Sequence, residues 1–138
     1  MLFLRALLLT IPRFIVLLGL LLALENFDVS PFPIWTLTVT AYLIHFFVTY
    51  FFAIWTFGKR VPQWSHALTV VLTFVIFGTS LEAGVFLISQ KGDVSDLWRN
   101  YHWQSLYIIF VYAIAIFLAM YRVRHKRVRE ALPEGMEG

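Results

Sequence analysis

The chain has 138 residues, 60% of them hydrophobic and only 14% charged, so it carries more apolar surface than a soluble domain of this size can bury. It contains no Cys, which excludes disulfide staples, thiolate metal sites and cysteine nucleophiles. The formal charge of +3 is modest, and its information lies in where the charges fall.

The first apolar segment covers residues 2–24, interrupted by Arg5, Thr10, Pro12 and Arg13, and closes at Glu25 and Asp28. It has the basic start and apolar middle of a secretory signal. Leu22-Ala23-Leu24 lacks a small-x-small cleavage pattern, so an uncleaved anchor is expected. Segment two covers residues 34–57 and is stopped by Gly58, Lys59, Arg60 and Pro62, a helix end with Gly after the last turn and Pro beyond it. Segment three covers 65–88 and stops at Gln90, Lys91, Gly92 and Asp93; segment four covers 103–121 and runs into a basic tail, 122–138. About 20 residues at a rise of 1.5 Å cross a hydrocarbon core of about 30 Å. Because every backbone polar group in a bilayer must be satisfied internally, the spans are expected to be helices.

The fold expected is therefore all-α, a polytopic membrane protein with four transmembrane helices in an antiparallel bundle over residues 1–121. Trp35, Trp55, Trp64, Trp98 and Trp103 fall near segment ends, where indole rings settle at headgroup level. Nine of the eleven Lys and Arg lie on one side of the alternating layout; only Lys91 and Arg99 lie on the other. That asymmetry predicts both termini in the cytoplasm. The absence of a long targeting segment leans toward a bacterial inner membrane.

An ionisable side chain at membrane depth costs about 2.5 to 3.5 kcal/mol on insertion scales, so each needs a partner or a purpose. Arg13 is the first. Either segment one begins near residue 2 with Arg13 inside the bilayer, or residues 1–10 form an interfacial helix. The guanidinium then snorkels to the inner surface or occupies a pocket opened by a kink at Pro12. His45 is the second, on a face with Thr38, Tyr42, Thr49 and Thr56 at helical spacing. This face is either a set of interhelical hydrogen bonds or a proton relay centred on the imidazole. Glu82 is the third, about two turns inside the end of segment three. It is a neutral carboxyl tying helices together, a carboxylate that couples protons or cations, or an interfacial side chain reaching water.

Thr69 and Thr73, Ser80 and Gly84, and Ala115 and Ala119 have the small-xxx-small spacing that lets helices approach closely. Arg122, Arg124, Lys126, Arg127 and Arg129 lie within eight consecutive positions. They can continue segment four as a helix and are expected to hold anionic lipid headgroups or to anchor the topology, with docking to a cytoplasmic partner or an anionic polymer as the alternative. After Leu132 the chain has too little apolar material to fold and is expected to be disordered.

No HExxH, nucleophile elbow or phosphate loop occurs, and His66, His102 and His125 lie at segment ends, away from His45, so a bis-histidine haem is not expected. No metal, cofactor, nucleic acid or catalytic residue is predicted. The layout of four spans in a short chain resembles that of small multidrug transporters, but segment one has no embedded acid, so the likeness stops at layout. The expected function is a non-catalytic membrane protein, an accessory or assembly subunit of a larger complex or a homo-oligomer, with membrane lipids and other membrane subunits or itself as partners. The alternatives are a small proton- or cation-coupled transporter or channel using His45 and Glu82, and a holin or immunity-type membrane protein.

Overall fold

The computed structural model describes residues 1–26, 34–59, 61–90 and 102–131. They form four helices: α1, Leu2–Glu25; α2, Ile34–Phe57; α3, Trp64–Gln90; and α4, His102–Ala131. All four are long and apolar enough to cross a membrane. The helices follow the four apolar segments closely. Helix α4 runs ten residues past the apolar segment to Ala131, through the basic stretch. Basic side chains are good helix formers, and Glu130 pairs with Lys126 and Arg127 one turn back, so nothing local stops the helix at Tyr121. Asp28, Lys91, Asp93, Asp96, Trp98, Arg99 and the segment after Leu132 lie outside the described residues.

The helix ends are made by local hydrogen bonds. Asn26 caps α1, its backbone N–H and side-chain Nδ2 both donating to the Leu22 carbonyl, at 3.2 and 2.8 Å. Gly58 ends α2 with φ of +59°, the left-handed conformation that glycine reaches without a Cβ penalty, and its N–H donates to the Ile54 carbonyl at 3.2 Å. The Arg5 guanidinium of α1 lies directly over Gly58, and its Cζ is 3.0 Å from where a Cβ would stand. At the start of α3 the backbone N–H of Gln63 donates to His66 Nδ1 at 3.1 Å, while the His66 N–H donates to the Gln63 carbonyl at 3.0 Å. The imidazole thus makes one half of a capping box, accepting from the N-cap N–H in the usual place of Glu.

Helix α1 packs on α2 and α3, and α4 packs on the same two, so α1 and α4 face each other diagonally across the bundle. Small side chains are among those packed inside the bundle. Ala6, Ala53, Ala67, Ala115 and Ala119 are all fully buried. Ala115 and Ala119 therefore act as the spacing of small residues predicts. Ser80 and Gly84 do not: Ser80 is exposed, and nothing lies within 4 Å of a Cβ built on Gly84.

Polarity is inverted relative to a water-soluble bundle. The largest fully buried side chain is Arg13, whereas Phe47, Phe51 and Trp55 on α2 and Leu68, Leu72 and Ile76 on α3 form exposed apolar stripes at i, i+4, i+8 spacing. Enlarging a contact alanine should separate the helices. Ala119→Leu is expected to lower stability by about 1 to 3 kcal/mol through overpacking, read as a lower thermal midpoint of the detergent-solubilised protein. Leu118→Ala, which alters an exposed side chain on the same turn, should leave the midpoint within about a degree.

Candidate functional site: a polar cluster in the bundle interior

Helix α1 is continuous through Pro12. Proline lacks the N–H that would bond the Leu8 carbonyl, and Thr10 uses its hydroxyl within the helix, donating to the Ala6 carbonyl at 2.9 Å. The next residue, Arg13, points inward and is 0% exposed. The pocket reading is the one this arrangement favours. The side chain does not snorkel to an end of the bundle; it enters the interior.

Each of the other three helices supplies a group that holds the guanidinium. From α2, the Thr49 hydroxyl accepts a hydrogen bond from Nη1 at 3.1 Å. From α3, the Phe74 carbonyl accepts one from Nη2 at 3.3 Å. The Phe74 ring and the Tyr112 ring of α4 both stack on the guanidinium, 4.7 and 4.6 Å from Cζ to the ring centroids. Gly78 is what makes room. A Cβ there would collide with Arg13 Nη2. Because Gly78 lies four residues after Phe74, its missing side chain also uncovers the Phe74 carbonyl, whose second lone pair is free for a donor from another helix. Arg13 Nε is buried with no hydrogen-bond partner among the described residues.

Tyr112 extends the cluster. Its ring lies on Arg13, and its hydroxyl shares a 3.1 Å hydrogen bond with His45 Nδ1, which accepts when the imidazole proton is on Nε2. The Glu82 carboxyl is half-buried one helical turn beyond Gly78, is itself engaged in an interaction, and lies within electrostatic reach of Tyr112.

The predicted polar face of α2 divides. His45, Thr49 and Thr56 are buried, Tyr42 is half-buried and Thr38 is exposed. Thr38, on the same face by spacing, is not buried with the others. Thr56 donates to the Phe52 carbonyl at 2.8 Å, as Thr73 does to Thr69 at 2.7 Å. These two hydroxyls are thus consumed inside their own helices. Thr49 alone of the predicted threonines engages another element through a hydrogen bond described here.

Sequence reasoning found Arg13, His45 and Thr49 but missed Phe74, Gly78 and Tyr112. A glycine in the middle of a long apolar helix was the available signal, because it costs stability unless something needs the space. Among the described residues no group of three or more His, Cys, Asp or Glu could hold a metal ion. No family model, no curated protein and no solved structure matches the chain.

Gly78 and Gly84, both within α3, should respond oppositely to the same change. Gly84→Ala fills open space and improves helix propensity, so it is expected to stabilise by about 0.5 to 1 kcal/mol. Gly78→Ala pushes on a guanidinium boxed in by two rings and is expected to destabilise. Adding Arg13→Met, which removes the obstructing group and the buried charge while keeping apolar volume, should restore the Gly78→Ala protein to at least the wild-type thermal midpoint.

Proposed function

We propose that the chain is a non-catalytic integral membrane protein of a bacterial inner membrane, with four antiparallel spans and both termini cytoplasmic, serving as an accessory or assembly subunit of a larger membrane complex. Membrane placement is supported by the four long apolar helices and by the inverted polarity, with exposed Phe, Leu, Ile and Trp outside and an arginine inside. The antiparallel arrangement is supported where α1 meets α2: Arg5 lies at Gly58 and Arg13 at Thr49, so residue numbers run in opposite senses. The cytoplasmic termini rest on the distribution of the other Lys and Arg: apart from the buried Arg13, eight of ten lie on one side of the alternating layout.

The observation that carries the functional reading is the closure of the polar cluster. Arg13, Thr49, Phe74 and Tyr112 come from four different helices and are each at most 1% exposed. A cluster so closed has the form of a lock that fixes the relative positions of the helices. The surfaces left for function are then outward: the aromatic and aliphatic stripes, which can meet other membrane helices, and the basic end of α4.

A cation pathway through His45 is disfavoured by the same geometry. The guanidinium and His45 are bridged by a single tyrosine, so a fixed positive charge stands beside any cation approaching the imidazole. Extraction from native membranes in a mild detergent, followed by native-gel sizing and mass spectrometry, tests the proposal. The expected result is a heteromeric complex of defined composition whose activity survives the His45→Ala, Glu82→Gln double variant. A homo-oligomer alone, carrying proton flux in liposomes that the double variant abolishes, would replace the subunit reading with the transporter.

A further inference from the structure

Helix α4 has 30 residues, a length of about 45 Å at 1.5 Å per residue, and therefore overshoots a hydrocarbon core of about 30 Å. Val123 is its last buried residue, so the turns after it stand clear of the other helices. The five basic residues of this stretch are not equivalent. Arg122, Lys126 and Arg129 line one open notch together with Tyr121, His125 and Glu130, whereas Arg124 and Arg127 do not line it. Arg122 is held in place, its Nη1 donating to the Tyr50 hydroxyl of α2 at 3.0 Å. The notch's own carboxylate, Glu130, is drawn to Arg127 at 2.6 Å and only loosely to Lys126 at 3.9 Å, so much of its charge is balanced from outside the notch.

The surface leading into the notch is apolar. Phe110, Ile114 and Leu118 are all exposed and follow one another at four-residue steps along α4, with Tyr121 and Arg122 in the next turn. An exposed apolar stripe that runs into a basic notch has the profile of a lipid: acyl chains along the stripe, phosphate in the notch. A free phosphate would use the notch alone and make no contact with the stripe beside it.

We infer that this face of α4 is a discrete binding site for one anionic phospholipid, its phosphate held by Arg122, Lys126 and Arg129 and an acyl chain lying along Phe110, Ile114 and Leu118. The inference rests on the membrane placement proposed above. It goes beyond a diffuse attraction between a basic tail and a charged leaflet because it separates residues that carry the same charge.

The test uses the full chain in a non-ionic detergent, with lipid binding followed by native mass spectrometry. The wild type is expected to bind phosphatidylglycerol at least about tenfold more tightly than phosphatidylcholine. Lys126→Gln with Arg129→Gln should bring the two lipids to within about twofold of each other. Lys59→Gln with Arg124→Gln, which removes the same charge from exposed positions outside the notch, should leave most of the preference intact. Equal losses in the two pairs would overturn the site in favour of diffuse attraction. Displacement of phosphatidylglycerol by equimolar glycerol phosphate would overturn the lipid as ligand in favour of a soluble phosphate. Alkaline carbonate extraction of native membranes keeps the two readings separate: a chain released into the supernatant refutes the membrane placement, whereas an embedded chain without lipid preference refutes only this inference.

Discussion

A guanidinium that cannot discharge fixes most of what is specific about this bundle. Arginine keeps its proton under all ordinary conditions, so burying Arg13 obliges the surrounding helices to solvate a permanent charge. They do so with a hydroxyl, a carbonyl and two aromatic faces drawn from α2, α3 and α4. In the membrane placement proposed here, the insertion cost of about 2.5 to 3.5 kcal/mol is comparable to two desolvated cation–π contacts at about 2 kcal/mol each. The rings alone are thus of the size needed to hold the charge inside. The hydrogen bonds then set its position.

This arrangement supplies a specificity that apolar packing lacks. Among lipid tails, leucine on leucine gains little over leucine on lipid, so helices of such composition can slide and rotate at small cost. A planar donor wedged between two rings fixes rotation, and its bonds to Thr49 and Phe74 fix axial register. The surrounding alanines allow close approach but do not choose among approaches. Retaining a buried ionic group for the sake of a unique arrangement is best attested where it specifies register, and the contacts of Arg13 are of that kind.

The sequence made the helices legible because hydropathy and length both act locally. Gly58 and Asn26 end their helices by bonds to residues four back, and such bonds leave local signals. The inward turn of Arg13 left none. It depends on Gly78, far away in the chain, and on Tyr112 farther still, and periodicity within one segment cannot report a vacancy in another. The same holds for Thr38 and Thr49, which share a face on α2 although one is exposed and the other buried. The extension of α4 was legible in a different way. Hydropathy marks where a lipid-facing stretch ends, and helix propensity marks where a helix ends, and at Tyr121 the two part.

That parting matters for what the bundle can do. A helix that stopped with its apolar segment would present basic side chains on a flexible tail, where they would act as a sum of charges. Continued as a helix, the same residues are sorted by a period of 3.6, so Arg122, Lys126 and Arg129 converge while Arg124 and Arg127 turn elsewhere. The bond from Arg122 to Tyr50 then ties this sorted surface to α2, the helix that carries His45 and Thr49. The closed interior and the open basic end are therefore joined through one element. A change in how α2 and α4 pack would move both.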